Sequence, residues 1–483
     1  MLSIMGGIAG LVVTTADVDM DSMLKKMARA IKHRRLESYY TVNHNHASCS
    51  IIGPHASKDT TSNLVIIDSN SDLILQTELQ HAKSISELFG VVVLTVDEAG
   101  LNLQRSLDGT KSLYYKHTEN SFVFATERKC FWDIGITQPS SLEPGQRITY
   151  SWEGNLGKEQ FATLERPQLL ETSRTVTLDH LKRSLLASFD RLHKNASCAV
   201  LFSGGVDSSL AAVQVAKRCK RTVLVTTSQE KAHDTSAATK AAAQLNLPLQ
   251  IIKLDPDTVW NILPRVIYSI ETSRQMDVEI ALPFYLAARK AADVECTTVV
   301  SGQGPDELFA GYAKHMKVLT EKGLEALNDQ LWREVSITHE ANIERDERAI
   351  AAHGRECFFP YLDQNFVQLS LAVPAEWKIS PFKTPQRKVI LRDLAKLMGV
   401  PAEIALAPKN ATQFSSGSSK AILEAIIQNV DGFGGMRKKD AAKRVQDVLN
   451  EIAYRLHIPN IQRSDEELSF EMKAVNDETE RIG

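Results

Sequence analysis

The chain has 483 residues, 43% of them hydrophobic and 24% charged, with a formal net charge of −3. That length allows two or three buried cores, and the composition is that of a globular protein rather than a disordered or fibrous one. The near-neutral balance offers no electrostatic case for a nucleic-acid partner, and no stretch reaches the roughly 18 uninterrupted apolar residues of a membrane span. Six cysteines (49, 130, 198, 219, 296 and 357) lack CxxC or CxxH spacing. They propose neither a zinc site nor a disulfide framework, so a reducing, cytoplasmic setting is the simplest expectation.

In chain order, Met1 to Val13 is apolar but has no basic n-region or cleavage site, and it reads as a first buried strand rather than a signal peptide. One helical pattern spans roughly Asp19 to Lys32. Short β-like runs follow at Leu64–Ile67, Val91–Val96, Leu101–Gln104, Leu113–Tyr115 and Phe122–Ala125, with turn signals such as Asp108-Gly109 between them. This texture predicts an α+β region with antiparallel pairing. Polar residues and Pro167 between Gly154 and Ser173 predict a linker. Beyond it the pattern alternates: helix 178–193, strand 199–202, helix 206–219, strand 222–227, helix 233–245, strand 249–253, helices between 257 and 292, and strand 297–301. Repeated βα units predict a parallel sheet whose ligands bind at the carboxyl ends of the strands. After about residue 308 the chain reads as mostly helical; the charged stretch after Gly432 suggests no chemistry.

The run Phe202-Ser203-Gly204-Gly205-Val206-Asp207-Ser208-Ser209 sits where a predicted strand enters a predicted helix. Glycines let backbone N–H groups approach a ligand, and a helix start favours a multiply charged anion. Ser203 and Ser208 add hydroxyl donors. Asp207 adds a carboxylate suited to Mg²⁺ on phosphates. The run lacks the Gly-Lys-Ser/Thr ending of a Walker loop. A Gly-Gly strand-to-helix turn with incidental serines is the competing reading. A second strand ends in Ser301-Gly302-Gln303-Gly304-Pro305-Asp306-Glu307-Leu308-Phe309-Ala310-Gly311-Tyr312. Two such loops on one sheet would set Asp207 and Asp306 on opposite sides of one magnesium pyrophosphate. Acidic caps on an ordinary helix start are the alternative.

The first run resembles the SGGxDS signature of PP-loop enzymes, which split ATP between its α- and β-phosphates. Together, SGGVDSS (203–209) and SGQGPDELFAGY (301–312) are similar to the motifs of the asparagine synthetase family and its β-lactam synthetase-type relatives. Arg345-Asp346, the run HGRECFFPYLD (353–363), KVILR (388–392), and Pro408-Lys409 with QFSSG (413–417) resemble further family segments. The run Ala310 to His315 and Gly323-Leu324-Glu325 look closest to the asparagine synthetase domain-containing branch. The resemblance covers residues 180–425 well and implies a PP-loop ATP-binding domain over 175–483 with a helical C-terminal part. It implies an N-terminal nucleophile (Ntn)-type, glutaminase-like αββα sandwich over 1–165, where Leu107 to Tyr115 resembles a family strand pair.

That first domain departs from the family at its nucleophile. Met5-Gly6-Gly7-Ile8 stands where glutamine-dependent members have Met-Cys-Gly-Ile, and Gly6 has no side chain to attack an amide. His33-Arg34 matches the start of the HRGPD element, but Arg35-Leu36-Glu37 does not continue it. The fold is expected to persist and the glutaminase chemistry to be lost. Rescue through Ser3 is the minor alternative, and Cys49 and Cys130 are expected to be buried apolar residues.

The resemblance also implies roles. Ser203, Gly204, Gly205, Asp207 and Ser208 would hold the phosphates of ATP, with Phe202, Ser301 and Gly302 beside the nucleotide. Asp207 and Asp306 would bind Mg²⁺, Lys388 would neutralise pyrophosphate, and Lys409 would steady the reaction intermediate. Glu307 and Glu356 are candidates for proton handling or for the substrate ammonium. Solvated lysines and structural ion pairs are the competing readings. The implied reaction adenylates a carboxylate, aspartate by resemblance, and amidates it with ammonia. A homodimer and a separate ammonia source are compatible with it. Gln303 replaces a common Glu and Phe358 replaces an Arg, which puts the identity of the carboxylate in doubt. A β-lactam synthetase-type intramolecular ligase and a non-catalytic ATP-binding scaffold are the alternatives.

Overall fold

The structure, a computed structural model, describes residues 6–14, 19–34, 38–44, 47–54, 57–58, 64–69, 88–229, 233–380, 386–407, 417–463 and 468–471. The N-terminal strands are β1 (Ala9–Val13), β2 (Ser38–His44), β3 (Ala47–Gly53), β4 (Ser57–Lys58), β5 (Leu64–Ser69), β6 (Val91–Val96), β7 (Gly100–Arg105), β8 (Tyr114–His117), β9 (Ser121–Ala125), β10 (Ser140–Ser141), β11 (Gln146–Ser151) and β12 (Leu156–Gln160). They form two antiparallel six-stranded sheets, ordered β10-β8-β9-β1-β3-β2 and β12-β11-β7-β6-β5-β4. The inner faces pack together through Ile8, Val12, Phe122 and Phe124 on one side and Leu94, Leu103, Ile148 and Tyr150 on the other. Helix Met20–Ala30 covers the outer face of the first sheet with Leu24, Met27 and Ala28. The sequence pattern missed the β2–β3 hairpin. It also took all of β12 for linker, because Leu156-Gly157-Lys158-Glu159-Gln160 is an exposed edge strand with no apolar alternation.

The parallel sheet comprises β13 (Ser197–Leu201), β14 (Arg221–Ser228), β15 (Leu249–Lys253), β16 (Thr298–Val300) and β17 (Glu356–Phe358). Its order is β15-β14-β13-β16-β17, with every neighbouring pair parallel. Alternation along each strand divides the side chains between two cores. Ala199, Val223, Val225, Val299 and Cys357 meet helices Pro256–Ile270, Gln275–Asp293 and Glu344–Ala351 on one face. Cys198, Val200, Leu224, Val300 and Phe358 meet helices Arg174–Phe189, Val206–Ala216 and Val389–Leu397 on the other. The protein is therefore a mixed α/β fold with a parallel sheet covered on both faces. No helix among the described residues is long and apolar enough to cross a membrane.

A buried ionic seam joins the antiparallel layers to the parallel-sheet region. Helix Glu344–Ala351 carries five consecutive charged residues, Glu344 to Arg348, all buried. Glu347 receives both terminal nitrogens of Arg34 at 2.7 Å, and Arg34 Nε also meets Glu127. Arg105 donates to Glu344 at 3.1 Å, and Arg348 donates to the Tyr114 hydroxyl at 2.8 Å. Burial alone would raise the Glu344 pKa, but Arg105, Arg348 and Tyr114 outweigh it and hold the carboxyl at about 2. Removing one partner of such a network strands a buried charge. Arg34→Met should therefore cost about 3–5 kcal/mol in urea unfolding. Arg34→Met/Glu347→Gln should lose less than the sum of the two single variants.

Candidate functional site

Strands β13 and β16 are neighbours in the sheet, yet β14 and β15 intervene in the chain and lie on the far side of β13. The strand order reverses at this point, and parallel sheets leave a crevice there beyond the strand ends. Both glycine-bearing runs open into it. Gly204 has φ +75°, and an added Cβ would lie 2.9 Å from the Ala237 carbonyl oxygen, so the loop needs glycine to pass helix His233–Leu245. Gly205 caps helix Val206–Ala216 with no side-chain cap bond, which leaves first-turn N–H groups for an anion. The Ser203 N–H donates to Ser208 Oγ at 3.3 Å, and the two hydroxyls lie 3.2 Å apart. Gly302 presses against this helix start: an added Cβ would meet the Ser208 nitrogen at 3.3 Å. Phe202 and Ser301 are buried at the two strand exits.

Asp207 and Asp306 meet on one cation. Lys388 Nζ lies 2.5 Å from Asp207 Oδ2 and 2.7 Å from Asp306 Oδ1. Only 1% of the Lys388 side chain is exposed, which excludes the solvated-lysine reading. Burial by itself would lower its pKa, but the two carboxylates outweigh burial and hold it above the ordinary lysine value. Lys388 takes a left-handed backbone, φ +59°, at the start of helix Val389–Leu397. Tyr361, in the turn after β17, donates to the Asp207 carbonyl at 2.7 Å. The other oxygen of Asp207, Oδ1, is buried with no hydrogen-bond partner. The two carboxylates thus converge as a cation site requires. Among the described residues no group of three or more His, Cys, Asp or Glu could hold a metal ion. The set therefore fits a magnesium ion that takes its remaining ligands from phosphates and water.

Glu307 lies beside this triad, 3% exposed. The Tyr312 hydroxyl at 2.6 Å and the Asn342 amide at 3.1 Å both donate to Oε1, while buried Oε2 has no partner. Burial and then the Asp306 carboxylate push its pKa up to about 7. Gln303 donates to Asp346 at 2.7 Å, and Arg345 donates to Asp346 at 2.8 Å, which ties the second loop to the charged helix of the seam. Tyr312, Asn342, Tyr361 and Asp346 had no role in the sequence reading. Tyr312, Asp346 and Tyr361 lay inside quoted motifs, but Asn342 reaches the crevice only through tertiary packing.

One candidate is not brought here. Glu356 pairs with Thr298, two residues before the strand ends from which the loops leave, and it accepts the Thr298 hydroxyl at 2.9 Å. A strand rises about 3.3 Å per residue, so this structure sets Glu356 inside the sheet rather than in the crevice. Lys409 lies outside the described residues, as do Ser3 and most of the QFSSG run. Phe358 is fully buried, edge-on to Phe89 and Phe189, and offers nothing to a ligand. At the N-terminal position of interest, the Gly6 carbonyl accepts from Lys111 Nζ at 3.1 Å. Cys49 and Cys130 are both buried.

Residues 180–323 and 319–432 match the asparagine synthase family profile, which is more than half of the chain. The chain belongs to the asparagine synthase family and is by class a carbon–nitrogen ligase. It is similar to a Methanocaldococcus jannaschii protein provisionally named a glutamine-hydrolysing asparagine synthetase, 29% identical over 403 residues and 74% of each chain. It is also similar to the asparagine synthetase domain-containing protein of Saccharomyces cerevisiae, 28% identical over 70% of this chain and 72% of that one. A mouse asparagine synthetase domain-containing protein is 38% identical over 125 residues, 25% of this chain and 20% of that one.

Two outcomes test the geometry. In Gly311→Ala the new Cβ would fall 1.7 Å from Asp306 Oδ1 and 2.3 Å from Lys388 Cε. Separating that pair should cost about 2–4 kcal/mol in urea unfolding. Glu307 supplies the second. Its raised pKa means that the folded state keeps a proton between pH 4.5 and about 7 that the unfolded state releases. Stability from that group is therefore full below pH 4.5 and lost as pH rises through 7. Against Glu307→Gln, the wild type should lose up to about 3 kcal/mol across this window, read by unfolding at stepped pH.

Proposed function

We propose that the chain is an ATP-dependent amide ligase that converts a carboxylate, aspartate first among the candidates, to its amide with ammonia. The convergence of Asp207 and Asp306 on Lys388 Nζ is the observation that carries this reading. We assign residues 175–483 to the ligase domain and 1–165 to a glutaminase-like domain without glutaminase activity.

A carboxylate is a poor electrophile, and hydroxide is a poor leaving group. In the proposed reaction a carboxylate oxygen of the substrate attacks the α-phosphorus of ATP, and the bond to the β-phosphate oxygen breaks. Pyrophosphate leaves and an acyl-adenylate remains. Ammonia then attacks the acyl carbon, the carbon–oxygen bond to AMP breaks, and an amide and AMP are released. The first-turn N–H groups of helix Val206–Ala216, with the Ser203 and Ser208 hydroxyls, would bind the phosphates. Lys388 would meet the charge that gathers on the departing pyrophosphate. Magnesium, held by Asp207 and Asp306, would supply further charge neutralisation on the phosphates. Glu307, titrating near neutrality with one oxygen unpartnered, is suited to take the proton that ammonia sheds as the carbon–nitrogen bond forms.

Gly6 supports the loss of the glutaminase half, since it supplies no nucleophile. The Lys111 ammonium on its carbonyl adds to that reading. Free ammonia, or ammonia from a separate protein, would then be the nitrogen source. The burial of Phe358 removes a possible clamp for a second substrate carboxylate and favours testing other acids, including ones that carry their own amine.

Isotopic ATP–pyrophosphate exchange, run with aspartate and with a panel of other carboxylates, tests the proposal. Exchange should appear with one carboxylate, and amide formation should then require ammonium and not respond to glutamine. Asp207→Ala should reduce exchange at least about a hundredfold. ATP binding with no exchange for any acid would overturn the ligase reading and leave a nucleotide-binding scaffold.

A further inference from the structure

The chain carries four cysteines in or beside the parallel sheet, and they fall on different faces. Cys296 and Cys357 pack into the core on one face. Cys198, on β13, and Cys219, in the turn between helix Val206–Ala216 and β14, belong to the core on the other. There the Cys198 thiol points at Cys219, with 3.4 Å between the two sulfurs. A disulfide needs about 2.05 Å, so closure requires a movement of little more than an ångström in a turn at the protein surface. Of the six cysteines, five are buried and Cys219 alone is partly exposed.

The surroundings also divide the labour between the two thiols. Lys217, Arg218, Lys220 and Arg221 flank Cys219, and cations next to a thiol favour the thiolate. The hydrogen bond from Cys198 lowers the Cys219 pKa, Arg218 adds to that effect, and partial burial opposes both. Cys198 has the opposite environment, because the same hydrogen bond and its burial raise it.

We propose that Cys198 and Cys219 form a reversible dithiol–disulfide site, with Cys219 as the attacking thiol and Cys198 as the resolving one, oxidised by hydrogen peroxide. The Cys219 thiolate attacks one peroxide oxygen, the oxygen–oxygen bond breaks, and the second oxygen leaves as water after taking a proton. Cys219 is now a sulfenic acid. The Cys198 sulfur then attacks the Cys219 sulfur, the sulfur–oxygen bond breaks, and a second water leaves with the Cys198 proton. Two thiols have been oxidised to a disulfide and one peroxide has been reduced to two waters.

The closed ring runs from Cys198 to Cys219 and encloses the whole strand–loop–helix unit, Ser203 to Ser208 included. The disulfide would tie the start of β13 to the end of the helix whose other end faces the crevice. This unit would then open less often. The proposal does not depend on which reaction the crevice performs.

The test treats the folded full-length chain with one equivalent of hydrogen peroxide and reads the intact mass and the denatured thiol count. The mass should fall by two hydrogens, free thiols should drop from six to four, and reductant should restore both. Proteolysis should yield one cross-linked pair containing Cys198 and Cys219. Amide hydrogen exchange across 199–218 should slow at least about threefold in the oxidised form. Cys219→Ser should form no cross-link, and Cys198→Ser should stop at a sulfenic acid on Cys219 that dimedone traps. Thermal unfolding of both serine variants shows whether each is folded when tested. Six thiols surviving peroxide, a cross-link to a different cysteine, or over-oxidation of Cys219 in the wild type without a cross-link would each overturn the proposal.

Discussion

One buried ammonium determines what the crevice is. Lys388 is enclosed by protein; burial pulls its pKa down, and Asp207 and Asp306 outweigh that pull. The reverse also holds, since two carboxylates that close would repel without a cation between them. The three groups come from the loop after β13, the loop after β16 and the start of helix Val389–Leu397. Their mutual charge compensation therefore fixes three distant chain segments at one point. A magnesium ion with its phosphates could take over the same compensation. A site built this way holds its shape before ligand arrives and does not have to assemble around it.

The seam on helix Glu344–Ala351 extends that order outward. Glu344, Glu347 and Arg348 recur at helical spacing and face the antiparallel layers. Asp346 points the other way, accepting from Gln303 in the second loop, and Arg345 pairs with it and with Asp277. One helix is thus shared by the N-terminal sheets and by the crevice. This gives the N-terminal layers a structural role whatever chemistry they perform. Without them, several buried charges on the helix would lose their partners, at a cost comparable to the whole stability of many domains.

Much of the fold was legible because its signals are local. Val91–Val96 and the βα alternation from residue 199 to 301 combine strand-length apolar runs with clear breaks, and the structure places elements there within a few residues. The hairpin Ser38–His44 and Ala47–Gly53 was missed because its polar face and serine-rich strand hide the period of two. Strand β12 was missed because an edge strand needs no apolar face. At the site, the two glycine-bearing runs could be read directly, since glycines and carboxylates at a strand-to-helix junction are a local pattern. Lys388 could be named only through a family resemblance, as one lysine among many on a helical stretch. Its burial depends on residues up to 181 positions away.

The sequence by itself determined the two loops, the parallel alternation that carries them, and the missing side chain at Gly6. Each of these is a property of neighbouring residues, and local backbone preferences express it directly. Only the tertiary structure decided that the strand order reverses between β13 and β16, that Lys388 bridges both carboxylates, and that Glu356 lies inside the sheet. Those outcomes depend on which surfaces meet when apolar faces are buried, and on which charges must then be paired. Neither quantity is a property of any one segment.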